Sequence, residues 1–418
     1  MTRNIGILIP SKKEAGGVFQ SALSIAESLI KYSNSGQYAA QYIGRTARYK
    51  FKYSLFYDGS DNPESFLDIQ NHNVKLTPLP RKSFSLPRKI LQFLIMGLGG
   101  KKFLIKSSYL IFKEAQTDLL IFPTPFAFDF PIDIPYITSI PDLMYRYYPN
   151  FPDYPLSLRI RRNIVYKYFA RNSKLIIVDS EQGADDVEKF FNIKKDRIRI
   201  IPFLPASYIY MYKDMDYRTV EELLAKYNLP EKFLFYPAQF WPHKNHQRLI
   251  KVICQIKNEY KTKVNLVLVG SFSAPAKKTY NEIRQLIKKL GVEDQIFHLG
   301  FVPDKEIVAL YKRAIALVFP TLIGPTSIPP VEAMVLGTPV LCSNLFEMPK
   351  QIGEGGLLFD PFDVKDIKEK IYTIWTNENL RRELIQKGHN KTKDLTLENY
   401  SKQWEKVIEE ALNLENRK

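Results

Sequence analysis

Cysteine is scarce in this sequence. Only two cysteines occur among 418 residues, Cys254 and Cys342, and both stand in apolar surroundings. Two such thiols are typical of core positions rather than of a disulfide framework, which favours a reducing cytoplasm. We therefore expect both cysteines to be buried and unpaired.

Long hydrophobic runs are also missing. No stretch reaches the length of a transmembrane helix, and the N-terminus, MTRNIGILIPSKKE, lacks the pattern of a signal peptide. Its short apolar stretch predicts a first β-strand. The sequence therefore predicts a protein without a membrane-spanning helix.

Several motifs of catalytic and metal sites are absent. The sequence has neither a GxSxG elbow nor a GxxxxGK[ST] phosphate loop. His243 and His246 are three residues apart, but no cluster of carboxylates or cysteines accompanies them. A solvated histidine or one at a helix N-terminus is the favoured interpretation, so we predict neither a metal site nor a cofactor.

Acidic residues are missing from one long segment of a basic chain. The formal net charge is +16, and segment 81–113 contains eight basic residues and no acidic one. The eight are Arg81, Lys82, Arg88, Lys89, Lys101, Lys102, Lys106 and Lys113. Bulky apolar residues lie between them, which predicts contact with an anionic membrane surface. The alternative is a pair of core-packed helices with a solvated basic face.

The positive charge alone would also suit a nucleic-acid-binding protein. Such proteins interleave basic residues with aromatic rings that stack on bases. Here the neighbours of the basic residues are mostly aliphatic. We therefore predict no nucleic-acid partner.

Strand-like and helix-like runs alternate along the chain, which predicts an α/β protein with parallel sheets. The predicted strands are NIGILIP, QYAAQYIG, DLLIFP, IPYITSIP, KLIIVDS, KFLFYP, VNLVLVG, QIFHLGF, IALVFP and PVLCS. The predicted helices are 17–31, 159–171, 181–191, 245–259, 280–290, 305–313, 329–336 and 364–376, and 384–418 is helical and charged.

Two Rossmann-like halves of about five or six strands each account for this alternation. We predict an N-terminal domain at 1–204 and a C-terminal domain at 205–395. The final helix, 396–418, would cross back to the first domain. The join falls in the weakly periodic stretch 204–232, in which 211–216 is predicted as a loop.

The most informative stretch is 316–344, which reads ALVFPTLIGPTSIPPVEAMVLGTPVLCSN. It predicts a buried strand, a short helix capped at Thr326 or Ser327 and closed at Gly337, and a second buried strand. A helix N-terminus there suits a phosphate, and Glu332 in its first turns could accept hydrogen bonds from sugar hydroxyls. The alternative is an ordinary crossover with a surface glutamate.

Other candidate residues follow predicted strands, because open parallel sheets bind ligands at the carboxyl ends of their strands. Lys244 is a compact cation suited to a diphosphate, whereas Gln239 in the same loop can only hydrogen-bond. The other candidates are Gly17, Asp142, Gly270, Phe301 and Val302. For Gly17, which follows Gly16, an ordinary turn is the alternative.

Taken together, these segments resemble the GT-B retaining glycosyltransferases of family 4. The matching segments are FYPAQFWPHKN, LVLVGS, HLGFVPDKEI, FPTLIGPTSIPPVEAMVLGTPV and QIGEGGLLFDPFD. The resemblance covers nearly the whole chain and is strongest at 235–363. It implies an α/β GT-B fold, with two Rossmann-like domains whose parallel sheets face each other across a cleft.

The resemblance implies a role for each matching position. Lys244 would bind the donor diphosphate, and Glu332 would bind the nucleotide ribose. Thr326 and Ser327 would cradle the diphosphate and the transferred sugar. The other implied roles are Gly17 at the phosphates, Gln239 in the donor loop, Gly270, Phe301 and Val302 at the nucleoside, and Asp142 nearest the sugar. Asp142 and Lys244 are the candidate catalytic residues.

Three positions depart from the family pattern. Gln239 replaces an arginine, so one cation facing the diphosphate is missing. Gly324 replaces the first glutamate of the E-x7-E pair, and Pro141 replaces a histidine before Asp142. Recognition of the donor sugar must therefore differ from that of the family.

The resemblance implies retaining transfer of a sugar from GDP-mannose or a UDP- or dTDP-sugar. The acceptor would be lipid-linked or a polysaccharide in cell-surface glycan synthesis, at the inner, cytoplasmic face of the membrane. Lys244 and helix N–H groups would stabilise the leaving diphosphate, without a metal or a protein nucleophile. The alternative is a catalytically weak subunit that binds a sugar nucleotide or a partner transferase.

Overall fold

The computed structural model describes residues 2–9, 17–33, 51–58, 74–79, 107–125, 133–270 and 276–413. The chain forms two compact units. The first unit is Met1–Leu204 together with Leu395–Lys418, and the second unit is Pro205–Asp394. The predicted strand at 37–44 and most of segment 81–113 lie outside the described residues.

A parallel sheet of seven strands forms the centre of the first unit. Its strands are β1 (Arg3–Ile9), β2 (Phe51–Asp58), β3 (Lys75–Leu79), β4 (Leu119–Phe122), β5 (Tyr136–Ser139), β6 (Leu175–Val178) and β7 (Ile198–Ile200). They lie in the order β3-β2-β1-β4-β5-β6-β7. The order reverses between β1 and β4, and open α/β sheets bind ligands at the carboxyl ends beside such a reversal.

The second unit contains a parallel sheet of six strands. Its strands are β8 (Leu234–Pro237), β9 (Leu266–Val269), β10 (Ile296–His298), β11 (Ala316–Phe319), β12 (Val340–Ser343) and β13 (Gly356–Phe359). They lie in the order β10-β9-β8-β11-β12-β13, which reverses between β8 and β11.

Helices connect the strands. Those in the described ranges are α1 (Gly17–Ser28), α2 (Ser107–Glu114), α3 (Met144–Tyr147), α4 (Leu156–Asn172), α5 (Glu181–Phe191), α6 (Ser207–Tyr212), α7 (Tyr217–Leu224), α8 (His246–Glu259), α9 (Lys277–Leu290), α10 (Asp304–Arg313), α11 (Ile328–Leu336), α12 (Met348–Ile352), α13 (Val364–Thr376), α14 (Glu378–Thr392) and α15 (Leu397–Asn413). Within those ranges, no helix is both long enough and apolar enough to span a bilayer.

Burial explains why the central strands are continuous apolar runs. Every residue of β4, β6, β9, β11 and β12 is buried. Parallel strands require crossover connections, and the crossing helices cover the sheet. The strands therefore lack the alternation of polar and apolar residues that a half-exposed sheet shows. Cys254 and Cys342 are free and buried, as expected.

Local capping sets the ends of two helices whose predicted bounds the structure confirms. The Ser180 hydroxyl accepts a hydrogen bond from the N–H of Gly183 (3.2 Å) at the start of α5, and Asn192 ends that helix in a left-handed conformation. The Asp363 carboxylate accepts from the N–H of Lys365 (2.8 Å) at the start of α13. Such polar caps satisfy backbone groups that a helix end leaves without partners.

The last described helix belongs to the first unit. α15 packs against α1 and β5, and it buries Trp404 to 1% exposure. Arg199 of β7 donates to Glu410 of α15, with 2.9 Å between Arg199 Nε and Glu410 Oε2. The chain thus returns to the unit in which it begins.

Several sequence-based assignments were incomplete or wrong. β2, β3, β7 and β13 were not predicted, and three of these four are edge strands, which lack a continuous apolar run. The weakly periodic stretch 204–232, predicted as the join, contains α6 and α7, which the sequence analysis did not assign. Asp216 caps α7 through the N–H of Thr219 (2.9 Å). The predicted loop at 211–216 begins inside α6. The helical stretch 384–418 is divided between α14 and α15.

Candidate functional site

Most residues of the second unit that were predicted to bind the sugar nucleotide lie at the carboxyl ends of its strands. β8 pairs with β11 and with β9, and all three run in parallel. The segments that follow these strands therefore leave the sheet side by side. The first carries Gln239 and Lys244, the second carries Thr326 and Ser327, and the third begins with Gly270. This edge lies at the reversal of strand order, where ligands bind in folds of this type.

Lys244 is held by contacts from two strands. It ends a short 3-10 helix, Pro242–Lys244, and its carbonyl oxygen accepts a hydrogen bond from the Tyr236 hydroxyl of β8 (2.7 Å). Its Nζ lies 5.0 Å from the ring centroid of Phe319, the last residue of β11. The side chain is half-buried. A fixed lysine beside a sheet edge provides a localised positive charge for an anionic ligand.

Gln239 is engaged inside its own loop. Its side-chain oxygen accepts a hydrogen bond from the indole N–H of Trp241 (2.7 Å). The amide carries no charge, so this position cannot replace the cation that the family places there.

Gly270 allows two loops to approach closely. A Cβ atom at this position would stand 2.3 Å from the carbonyl oxygen of Ala238, a contact that real Cβ atoms do not make. The Gly270 N–H donates to the carbonyl of Gly300 (3.2 Å). Glycine at 270 is therefore a steric requirement of the segments that follow β8 and β9.

Phe301 and Val302 differ in exposure. Phe301 is 72% exposed, and its ring is available to contact a ligand. Val302 is 3% exposed, so its side chain belongs to the core and only its backbone could line a nucleoside site. The place of Val302 in the nucleoside site therefore stays a prediction about its backbone.

The turn before α11 offers fewer backbone donors than the sequence suggests. The side chain of Gln351 bonds to Ser327 twice, accepting from its N–H (2.9 Å) and donating to its carbonyl (3.0 Å). Pro329 and Pro330, in the first turn of the helix, have no N–H. This leaves the N–H of Ile328 as the donor of that first turn. Fewer helix N–H groups are therefore available to a phosphate than the sequence predicts.

Gly324 has a backbone conformation that a glutamate would not adopt readily. Its φ angle is +130°, a region that residues with a Cβ rarely occupy. The departure from the family pattern is therefore built into the loop backbone and is not confined to one side chain.

Glu332 lies inside the protein with its own hydrogen-bond partners. It is 6% exposed, and its Oε2 accepts from the hydroxyl of Tyr311 (2.9 Å). Burial raises the pKa of Glu332 to about 7, although the Tyr311 hydroxyl and the N–H of Ala206 act in the opposite direction. The alternative of a surface glutamate was wrong, because the first turns of α11 face the interior.

Two predicted site residues, Gly17 and Asp142, belong to the first unit. Gly17 is exposed at the start of α1, and a Cβ there would meet nothing within 4 Å. Asp142 is half-buried after β5, where it accepts from the N–H of Met144 (3.1 Å) and lies 3.9 Å from Arg162. The structure thus gives Asp142 a hydrogen bond within the turn before α3 and an ion pair with Arg162.

An aromatic cluster that the sequence analysis missed packs on the loop after β8. The His246 ring lies between Tyr236 and Phe240, with centroid distances of 4.7 Å to each. Burial lowers the pKa of His246 to about 3, with a smaller effect from Lys244, so the ring is neutral. His246 is the first residue of α8, as its favoured interpretation expects, but it is buried and not solvated. Two aromatic residues four positions apart, Tyr236 and Phe240, were the available signal.

The described residues hold no group of three histidine, cysteine or acidic side chains arranged to bind a metal ion. The chemistry that they do support is binding of an anion near Lys244, in a domain that also holds a buried carboxyl group, Glu332, whose pKa is near neutral.

A profile of the family described as glycosyl transferases group 1 matches residues 220–391. The matched range falls within the second unit and contains Lys244, Ser327 and Glu332. The second unit is a group 1 glycosyltransferase domain. The resemblance to glycosyltransferases that the sequence motifs indicate is confirmed for group 1. Assignment to family 4 stays a prediction.

The curated proteins that this chain resembles include two mannosyltransferases. The chain is 29% identical to the serotype-specific mannosyltransferase WbdA of Escherichia coli over 210 residues, which is 50% of this chain and 25% of that protein. It is 28% identical to the O-antigen chain mannosyltransferase B of Escherichia coli over 233 residues, which is 56% of this chain and 59% of that protein. The chain therefore spans only part of the length of either relative.

The likeness to solved structures includes both units. The crystal structure of Anabaena HepE in complex with UDP-glucose has a TM-score of 0.71 at 16% identity, covering 97% of this chain and 99% of that chain. Together with the two parallel sheets, this confirms the two-domain α/β fold of the GT-B glycosyltransferases.

Replacing Gly270 with alanine should destabilise the glycosyltransferase domain, because the new Cβ would collide with the Ala238 carbonyl. We expect a loss of about 2 kcal/mol or more in the free energy of unfolding, measured by urea denaturation. Gly17→Ala is the matched control, since its Cβ enters open space. That variant should stay within about 0.5 kcal/mol of wild type. Equal stability of the two variants would contradict the steric argument.

Glu332→Gln should change how stability depends on pH. The folded pKa of about 7 lies above the ordinary 4.5, so the native state binds this proton more tightly than the unfolded state does. The stability that the glutamate contributes is therefore present below pH 4.5 and declines as pH rises towards 7. Glutamine does not titrate. Urea denaturation between these pH values should shift in favour of the variant as pH rises, by on the order of 3 kcal/mol. A difference that stays constant with pH would refute the raised pKa.

Proposed function

We propose that this protein transfers a sugar from a nucleotide diphosphate to a glycan acceptor in the synthesis of a cell-surface polysaccharide. The observation that carries the proposal is the placement of Lys244 at the reversal of strand order in a group 1 glycosyltransferase domain. The two relatives described above are named mannosyltransferases, and one of them is named for the O-antigen chain. Their names support a hexose donor and a polysaccharide or lipid-linked acceptor.

The donor proposed first is GDP-mannose. The names of both curated relatives favour a mannosyl donor. UDP-sugars are the second choice, because the HepE structure contains UDP-glucose. dTDP-sugars remain within the same chemical class. All three donors present the diphosphate that Lys244 would bind.

Transfer in this proposal breaks the bond between the anomeric carbon and the diphosphate oxygen. The acceptor hydroxyl forms a new bond to that carbon on the same face, and its proton passes to the departing diphosphate. Lys244 stabilises the negative charge that develops on the diphosphate, which is the largest electrostatic demand of the step. The proposal assigns no metal ion, cofactor or protein nucleophile to the reaction.

The surroundings of Lys244 make it unusually important for this chain. Gln239 is neutral and bonded to Trp241, and the turn before α11 contributes few N–H groups. With fewer N–H groups and no charge at Gln239, Lys244 must stabilise more of the negative charge on the leaving diphosphate. We therefore expect a single lysine to dominate the diphosphate contact.

A second candidate function is a catalytically weak subunit that binds a sugar nucleotide or a partner transferase. The engaged amide of Gln239 and the backbone of Gly324 favour it, because both remove groups that the family uses on the donor. Such a protein would bind a nucleoside diphosphate and show no transfer to any acceptor.

Lys244→Ala should reduce turnover at least about tenfold with folding intact, since one cation facing a diphosphate contributes a few kcal/mol of transition-state stabilisation. The measurement is steady-state transfer from GDP-mannose and from UDP-glucose. Lys251→Ala is the matched control, because Lys251 is an exposed lysine of α8. Wild-type turnover in Lys244→Ala would exclude Lys244 from the donor site. Nucleotide binding without turnover in the wild type would favour the second candidate.

We also propose that the first unit contacts an anionic membrane. Segment 81–113 supplies basic and apolar residues, and its last part, 107–113, lies in α2. α4 adds a described surface with no acidic residue, in which Leu156 is 62% exposed and Ile160 is 53% exposed. Basic residues attract anionic lipids, and exposed aliphatic side chains add insertion energy.

Replacing Arg88, Lys89, Lys101 and Lys102 with serine should weaken co-sedimentation with anionic vesicles, because each basic residue contributes about 1 kcal/mol near such a surface. The matched control replaces the four exposed lysines of α9, namely Lys277, Lys278, Lys288 and Lys289. High salt should release the wild type only in part, since insertion is not screened. Equal vesicle binding by the two quadruple variants would refute the membrane role of segment 81–113.

A further inference from the structure

The carboxylate of Glu332 is bound from two sides within the second unit. On one side the hydroxyl of Tyr311 donates to Oε2 at 2.9 Å. On the other side the backbone N–H of Ala206 interacts with the same carboxylate. Glu332 is 6% exposed, so these protein groups and not solvent satisfy its oxygens. A buried carboxylate requires such partners, because an unpaired one is costly in the interior.

Packing and a backbone hydrogen bond fix the position of Tyr311. It is fully buried in α10, and its ring meets Phe235 of β8 edge to face at a centroid distance of 4.9 Å. Its backbone carbonyl accepts from the hydroxyl of Thr338 (2.8 Å). Its hydroxyl therefore has little freedom to leave Glu332, and it fixes the position of the carboxylate.

The other side is formed by the start of the second unit. Ala206 precedes α6, which packs against α10 and α11. Ala206 is 1% exposed and Ile209 is fully buried. Tyr208 and Tyr210 lie close enough to Glu332 for its negative charge to raise their pKa values, in addition to the larger effect of burial. Residues 206–210 thus lie against the two helices that carry Tyr311 and Glu332.

The proposed donor site needs the same carboxylate. A ribose bound at Glu332 would donate two hydroxyl hydrogen bonds to the carboxylate oxygens. Residues 206–210 now lie close to those oxygens. The Tyr311 contact comes from the core and can persist. The contact from Ala206 comes from the residue that precedes a short helix, so we expect it to be the contact that a ribose can replace.

We propose that Tyr311 is a positioning residue for nucleotide binding and that residues 206–210 form a cover over Glu332 that nucleotide binding displaces. The inference rests on the proposed function, since it names the groups that hold and occlude its ribose-binding carboxylate. The cover directly follows Leu204, the last residue of the first unit before the chain enters the second. Occupancy of the nucleotide site is thereby linked to the segment that joins the units.

Hydrogen exchange of the full-length protein, followed on peptides that contain residues 206–212, tests this directly. In the free protein, Tyr311→Phe and Glu332→Gln should each speed exchange of these amides about tenfold, because one charge-assisted hydrogen bond is lost or weakened. The matched control is Tyr227→Phe, which removes another tyrosine–glutamate bond of the same unit, that of Tyr227 with Glu306. It should leave the peptide unchanged. Peptides from β9 report any general destabilisation.

The second arm adds saturating GDP or UDP to the wild type, with binding measured by calorimetry on the same sample. Exchange in 206–212 should become faster, whereas most binding events slow exchange near a ligand. Tyr311→Phe should also weaken nucleotide binding about tenfold, and Tyr227→Phe should not.

Slower or unchanged exchange in a sample that binds the nucleotide would overturn the cover while leaving the proposed function in place. Unchanged free-protein exchange in both Tyr311→Phe and Glu332→Gln would overturn it as well. Failure of both nucleotides to bind the wild type would instead overturn the proposed function, and this inference with it.

Discussion

The parallel pairing of β8 with β11 is the constraint on which the candidate site depends. It makes the segments after these strands leave the sheet side by side, although about eighty residues of chain separate them along the sequence. The N–H of Leu322 then donates to the carbonyl of His243 (2.8 Å), which ties the two loops together. Tyr236 and Phe319, at the ends of the two strands, hold Lys244 from either side. The cation is therefore placed by the sheet and not by the loop alone.

The same ends of the strands retain their shape despite departures from the glycosyltransferase pattern that the chain resembles. Charge and backbone donors are reduced at Gln239 and before α11, while the shape of the site is kept by other means. Gly270 permits the close approach of the segments after β8 and β9, and Gln351 fixes the backbone of Ser327. The scaffold thus keeps the geometry that the proposed anion site at Lys244 requires. This separates the question of whether a nucleotide binds from the question of which sugar is transferred.

The sequence predicts the central strands and the long helices well because their signals are local. Buried runs such as LIIV and LVLV and caps such as Ser180 need no knowledge of distant residues. Edge strands such as β7 and β13 carry weaker signals, since they are partly exposed. The burial of Glu332 could not be predicted, because its partners Tyr311 and Ala206 lie 21 and 126 positions away. The bonds from Trp241 and Gln351 likewise depend on side-chain geometry that no spacing rule contains.

Crystal structures of the protein with bound GDP and with bound UDP test the role of Lys244 most directly. We expect the diphosphate of the better ligand within hydrogen-bond distance of Lys244 Nζ, at the carboxyl ends of β8 and β11. We also expect the ribose to reach Glu332. A nucleotide bound elsewhere on the chain, or a diphosphate out of reach of Lys244, would show that Lys244 does not bind the donor.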